Sequence, residues 1–340
     1  MKYCFMLFMV SYCNFHLSGQ ELYRLKVSAV QLIEKEGVDY THRVDHLMYT
    51  GEDLFCGIRN ARYLVKMNAN AELLANIGRP GGGPGEFASR VLAYSTNGQS
   101  VFAVSADKLD HLQHFSSDGR YVGKFPIKPR IWQSYSTGTC NTFGVSADTV
   151  VLPAPPQSGH LAYAYDFQGG ARPIGDLIFD KRDASQLELN PFLNDTLWVY
   201  GDGHWYAVLR FTSLILKYDS DFNMVSSFRL DNPRLTQLKE NLDSLDPSRS
   251  SVPQAMFRDI KYHQGFLFIM APKTLIQINA HSGDITAMYT FYGDEEVLSR
   301  KEVPHELNFK TFALMGKNRL LLGPAWIWDH DLMQVTLPTL

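Results

Sequence analysis

Cysteine is scarce in this chain, basic residues are not in excess, and no linear catalytic motif occurs. Each deficit removes a class of function. Of the four cysteines, Cys4 and Cys13 lie in the first nineteen residues, leaving Cys56 and Cys140 in apolar, strand-like contexts. One distant disulfide is conceivable, but two buried free thiols are the expectation, because the chain has no C-x-x-C and no zinc spacing. The formal net charge is -3, from 32 basic and 35 acidic residues. With no long run of one sign, it is not a general binder of nucleic acid, which needs a basic excess to displace counterions. Beyond the N-terminal run no stretch is apolar enough to span a bilayer, so no transmembrane segment is expected in the mature chain. Neither G-x-S-x-G nor H-E-x-x-H is present. His111 and His114 are three apart on a strand and point to opposite faces. His42 and His46 would share a face, with no third ligand nearby. No cofactor is expected from these patterns, although a structural or channel-mouth calcium stays open.

What the chain does have begins at its N-terminus. Lys2 precedes an unbroken apolar run, Phe5 to Val10, and Ser18-Gly19 comes just before the polar Gln20-Glu21. This reads as a signal peptide over residues 1–19, because the run is too short to cross a membrane. A buried first strand is the other reading. A lipid anchor on Cys13 fits less well, since bulky Tyr12 stands where a small residue is needed. The expected product is exported, periplasmic or at the cell surface, with residues 20–340 as one domain. An apolar content of 45% supports a large core.

An internal repeat decides the fold class. A strand, a polar turn and a second strand recur over 63–77, 111–125, 162–174, 214–228, 275–289 and 325–337. The turns open near Asn68, Ser116, Asp166, Asp219, Asn279 and Asp329, at intervals of 48, 50, 53, 60 and 50 residues. That period, about 40 to 50, is what a four-stranded propeller blade requires. Asn, Asp and Ser at the turns cap backbone N–H groups, and glycine accepts positive φ. Each hairpin follows another strand pair whose second member is almost wholly apolar, as in Val101–Val104 and Phe266–Met270, which suits a strand covered on both faces. Gly98, Gly201, Gly203 and Gly265 supply turns within those pairs. The fold expected is all-β, a six-bladed β-propeller of four-stranded antiparallel blades, with a strand in Tyr23–Ile33 sealing the last blade. Residues Asn232–Phe257 break the rhythm and carry a helical pattern starting at Leu235; a lid over the ring and plain padding are both open. Asp219–Asn223 begins like a calcium loop, but Met224 and Leu230 stand where glycine and glutamate belong.

The most distinctive run is Ile77-Gly-Arg-Pro-Gly-Gly-Gly-Pro-Gly-Glu-Phe87. It resembles the GxGPGEF-type signature of six-bladed, NHL-like β-propeller proteins of the Bacteroidetes, as do Val101–Val104 and the Asp118-Gly119 turn before Tyr121-Val122. Ser105-Ala106-Asp107 departs from the family's usual acidic position. The resemblance implies a secreted or surface-anchored propeller and carries no catalytic residues to transfer. As a phosphate cradle the run would need Gly-Lys-Ser/Thr at its end, and Glu86 sets a negative charge where phosphate would sit.

In a propeller, loops joining second to third strands share a face with the blade-to-blade connections. Those loops hold Arg59, Asn60, Arg62, Asp107, Lys108, His160, Arg210 and Lys273; the connections add Arg79, Glu86, Arg90, Arg130 and Trp132. The mixture leans basic. The expectation is therefore a non-enzymatic binding or scaffold propeller whose glycan, peptide or protein ligand meets arginine forks around the channel. Solvated loop arginines are the plainer account of the same residues. A propeller hydrolase or lyase with a metal at the channel mouth is the alternative, because such sites draw residues from several blades without a linear motif.

Overall fold

The structure, a computed structural model, describes residues 21–30, 35–37, 44–127, 143–155, 158–168, 170–178, 194–243, 255–293, 309–316, 318–324 and 332–338. Six antiparallel sheets form a six-bladed β-propeller. The first two strands, β1 (Glu21–Lys26) and β2 (Ser28–Ala29), precede the blades. Blade 1 is β3 (Val44–Tyr49), β4 (Asp53–Ile58), β5 (Leu64–Asn68) and β6 (Leu73–Ile77). A short parallel pair follows, β7 (Arg79–Pro80) with β8 (Glu86–Phe87). Blade 2 is β9 (Val91–Thr96), β10 (Ser100–Ser105), β11 (Lys108–Ser116) and β12 (Tyr121–Pro126). Blade 3 is β13 (Gly144–Val145), β14 (Thr149–Pro153), β15 (His160–Asp166) and β16 (Ala171–Asp176). Blade 4 is β17 (Thr196–Gly201), β18 (His204–Leu209), β19 (Leu214–Tyr218) and β20 (Met224–Arg229), after which comes helix α1 (Pro233–Asp243). Blade 5 is β21 (Asp259–His263), β22 (Phe266–Ala271), β23 (Thr274–Asn279) and β24 (Ile285–Tyr292). The last blade holds β25 (Phe309–Met315), β26 (Arg319–Pro324) and β27 (Met333–Thr336).

Second strands of the blades are the apolar runs picked out in the sequence, and they are buried because a neighbouring blade covers each face. The core is accordingly divided into six apolar clusters, one at each junction between adjacent blades. Leu197, Tyr206 and Val208 of blade 4, for example, meet Ile260, Leu267 and Ile269 of blade 5. Val44, Leu47 and Cys56 of blade 1 meet Ala313, Met315 and Leu321 of blade 6, which closes the circle. Cys56 is a buried free thiol, and burial pushes its pKa up well above the ordinary value; Cys140 lies outside the described residues.

The repeated turn is built the same way in most blades. The side-chain oxygen of Asn68 accepts from the N–H groups of Asn70 and Glu72 at 2.9 and 3.1 Å. Asp166 accepts from Gln168 and Gly170 at 2.9 and 2.7 Å. Asp219 does so from Asp221 and Asn223 at 2.9 and 2.8 Å. Asn279 caps His281 and Ser282 at 2.9 and 3.0 Å. These are Asx turns, which explains the residue types at that register. They also account for the calcium-like run at Asp219–Asn223 as a capped hairpin turn.

Ring closure differs from the expectation in two respects. β2 pairs antiparallel with β27 and is the outermost strand of blade 6, as the sealing strand was meant to be. β27, however, pairs with β26 and is that blade's third strand. Among the described residues of 325–337 β27 is the one strand, and the blade's fourth strand comes from the other end of the chain. The turn at Asp329 falls outside the described residues. β1 adds to blade 5 as a fifth strand, parallel to β24, with Tyr23 stacked on Tyr289 at 5.3 Å between centroids. Val27, between the two strands, is buried in the junction of blades 5 and 6. No helix among the described residues is long and apolar enough to cross a membrane. The leader read over residues 1–19 also lies outside the described residues.

Candidate functional site

Each blade's first strand lines the central channel and ends in a tight turn to the second. On that turn face the six strands enclose a cavity of about 760 Å³, within the ~300–1,000 Å³ typical of small-ligand sites. Every blade contributes: Tyr49, Ser95, Ser146, Tyr200, Lys261 and Leu314 are one lining residue from each. Thr50, Gly51, Asn97, Gln99 and Gln264, in the turns, form its rim. The geometry depends on close blade contact. A Cβ on Gly201 would lie 2.0 Å from the Tyr262 ring, so this glycine is needed for the approach of blades 4 and 5, while Gly98, Gly203 and Gly265 take positive φ in the turns.

Below the cavity, a charged cluster crosses from blade 5 to blades 6 and 1. Lys261 Nζ donates to Asp259 Oδ1 at 2.8 Å and to His46 Nε2 at 3.2 Å. Asp259 Oδ2 accepts from the Thr311 hydroxyl at 2.6 Å and the Phe312 N–H at 3.3 Å, and Oδ1 also accepts from the Ile260 N–H at 2.8 Å. Thr311 in turn accepts from the Leu47 N–H at 3.0 Å. Asp259 and His46 are each 1% exposed. Burial pushes the Asp259 carboxyl up, but Lys261 and the hydrogen bonds the carboxylate accepts outweigh it and hold it well below the ordinary range. Burial, reinforced by Lys261, lowers the His46 pKa from 6.5 to about 4. His46 is therefore neutral at pH 7, and the 3.8 Å approach of its Nε2 to Asp259 is not an ion pair. Accepting from Lys261 makes Nε2 the unprotonated nitrogen and places the ring proton on Nδ1.

Among the described residues the cavity lining contains no aspartate or glutamate, and Lys261 is its one lysine or arginine. Among the described residues no group of three or more His, Cys, Asp or Glu side chains is placed to hold a metal ion.

The described loop residues singled out in the sequence lie elsewhere, on the opposite face and rim, and none of them lines the cavity. Arg62 donates to the Ala88 carbonyl at 3.5 Å and Arg90 to the Asn60 side chain at 3.4 Å, so these three converge where blade 1 passes to blade 2. Arg59 precedes them in the same loop. Glu86 and Lys108 share a rim pocket of about 120 Å³ with His111 and Lys124. Glu86 accepts from the Gly83 N–H at 2.8 Å and from Arg79 at 2.9 Å, which lowers its pKa. The donor a phosphate would need is thus already taken, and the glycine run is a structural turn: a Cβ on Gly78 would strike the Phe87 ring at 2.3 Å. His160 approaches Asp176 at 4.0 Å and is tipped against Tyr163. Lys273 occupies the tight turn of blade 5 with φ 62°. Arg210 is 2% exposed and paired with Asp195 at 3.0 Å, so its guanidinium is committed inside the fold. Trp132 and Arg130 lie outside the described residues. Helix α1 follows Leu230, which is bonded to Ser213; Phe257, at the far end of the insertion, is bonded to Arg210. Both anchors belong to the face opposite the cavity, and residues 244–254 between them lie outside the described residues.

Sequence reading missed His46, Asp259, Lys261 and Thr311 as one group. The visible signal was Asp259, Lys261 and His263 alternating on a channel strand, three polar residues with period two.

No protein-family model matches this chain, and no curated protein does. Solved structures share the fold at low identity. A candidate exported protein of Bacteroides fragilis aligns with TM-score 0.57 and 9% identity, over 94% of this chain and 100% of its own. A DUF4221-family member from Bacteroides vulgatus gives TM-score 0.52 and 11% identity, over 91% and 97%. Virginiamycin B lyase from Staphylococcus aureus gives TM-score 0.51 and 9% identity, over 87% and 96%.

Proposed function

We propose that this chain is an exported, non-enzymatic binding propeller whose glycan or peptide ligand enters the central cavity from the face of the first-to-second-strand turns. One observation carries the reading: a single volume of about 760 Å³ drawn from all six blades, with hydrogen-bonding and aromatic side chains and, among the described residues, no carboxylate in its lining. Ligand sites combine apolar walls with a few convergent polar groups, and this lining has both. Export is supported by the leader-like residues 1–19 and by the fold shared with a protein of Bacteroides fragilis described as a candidate for export.

A second location stays in play because Arg62 and Arg90 converge beside Asn60 on the opposite face. There an acidic glycan or a peptide carboxylate would be held by guanidinium groups. Saturation-transfer NMR of residues 20–340 against a panel of glycans and peptides separates the two. Binding abolished by Tyr200→Ala and unchanged by Arg62→Ala with Arg90→Ala supports the cavity; the reverse pattern moves the site to the loop face. No binding by any panel member at millimolar concentration counts against both.

A further inference from the structure

We infer that the central cavity selects an uncharged, polyhydroxylated ligand, a carbohydrate, over an anionic one, and holds it without hydrolysis. The inference rests on the cavity being the binding site and goes further by naming the ligand class.

Charge is the first argument. Among the described residues Lys261 is the one lysine or arginine in the lining, and its ammonium already donates to Asp259 at 2.8 Å and to His46 at 3.2 Å. Asp259 is buried and held ionised, so Lys261 and Asp259 cancel. His46 adds no charge at neutral pH. An anionic ligand drawing Lys261 towards itself would strip a buried carboxylate of its cation, which is strongly unfavourable. The basic loops that point to an anionic ligand lie on the other face.

Hydrogen bonding and shape agree. The side-chain amides of Gln99 and Gln264 and the Tyr200 hydroxyl line the cavity and make no hydrogen bond among the described residues. Amides and phenols both donate and accept, as sugar hydroxyls do. Tyr49, Tyr200 and Tyr262 are half-buried around the same volume and offer ring surface to the C–H face of a sugar. Common glycoside hydrolysis needs two carboxyl groups flanking the bond, about 5–10 Å apart. Among the described residues the lining has none, and on that basis a bound glycan is kept intact.

The test is titration calorimetry of residues 20–340 against matched oligosaccharides: neutral cello-, xylo- and manno-hexaose, and charged oligogalacturonate and oligoalginate, with a peptide library alongside. The variant Gln99→Ala with Gln264→Gly removes both amides; both residues are exposed, and glycine suits the φ of 48° at position 264. Its circular dichroism and melting curve should match the parent. The expected result is a neutral hexaose bound at least tenfold more tightly than either uronate, weakened at least tenfold in the variant, and recovered intact by chromatography overnight. A uronate bound as tightly as the neutral sugars, or peptide binding alone, overturns the inference and leaves the binding reading standing. Neutral-sugar binding untouched by the variant moves the ligand out of the cavity and overturns it too, as does release of shorter sugars. No binding of any kind overturns both.

Discussion

Replacing Asp259 by alanine tests whether the cluster beneath the cavity is a buried ion pair or a solvated one. The substitution removes the acceptor for Lys261, Thr311, and the Phe312 and Ile260 N–H groups together. Lys261 is only 11% exposed at its side chain, so its charge is left without a partner in a poorly solvated place. Breaking such a pair from one side costs about 3–5 kcal/mol, a large part of the ~5–15 kcal/mol a folded domain has. At about 2.1 cal/mol/K of unfolding entropy per residue, a domain of about 320 residues shifts roughly 1.5 °C per kcal/mol, so the melting temperature should fall by about 5–7 °C. Urea unfolding followed by circular dichroism measures the difference directly. The companion variant, Asp259→Leu with Lys261→Met, removes both charges. It should recover more than half of the loss, because a paired charge and a matched apolar pair are close in stability. A single-variant loss under about 1 kcal/mol would refute the reasoning, since that is the range of exposed ion pairs. So would a double variant no more stable than the single one.

The other predictions concern pH, closure and blade spacing. His46 has a folded pKa of about 4 against an ordinary 6.5. The unfolded chain therefore takes up its proton first as pH falls, and stability drops between pH 6.5 and 4 by up to about 3 kcal/mol from this group. His46→Gln should flatten the pH dependence of urea unfolding across that window; an unchanged slope would show that His46 titrates normally. A chain starting at Glu21 should melt like residues 20–340. One starting at Gln31 loses both N-terminal strands and the buried Val27, worth ~1.5–3 kcal/mol for that side chain alone. A matching urea midpoint for the two would mean that the strap is not part of the folded ring. Gly201→Ala sets a methyl against the Tyr262 ring, and overpacking of this kind costs about 1–3 kcal/mol. Because Tyr262 lines the cavity, the same variant should also weaken ligand binding; normal stability with normal binding would show that the blades have slack there.

Much of the ring was legible because its determinants are local. Asn68, Asp166, Asp219 and Asn279 each need only the next few residues to make their turn, so the period appears directly along the chain. The last repeat differs in its pairing: the strand read as the outer member of a hairpin, β27, is the blade's third strand. Which strand completes a blade depends on contacts between the two ends of the chain, and nothing local records it. The candidate site was harder still. Propeller loops are easy to sort by face, but which mouth of the channel widens into a cavity depends on how the six inner strands splay. The cluster of His46, Asp259, Lys261 and Thr311 joins blades 1, 5 and 6, so its members are remote in sequence. Only the alternation on β21 betrayed it.

The N-terminal strap has a consequence for how the molecule folds. Blades 1 to 4 are each completed by strands that follow one another, so each can form as soon as its own residues are available. Blade 6 cannot, because Ser28 must find Gln334. Closing a loop of about 300 residues costs roughly 4 kcal/mol more than closing a four-residue hairpin, by the logarithmic growth of loop entropy. Assembly should therefore run forward from blade 1 with the first segment waiting, and end in one slow docking step that turns an open crescent into a disc. Until that step the outer edge of β27 stands unpaired, a strand edge open to pairing with another chain.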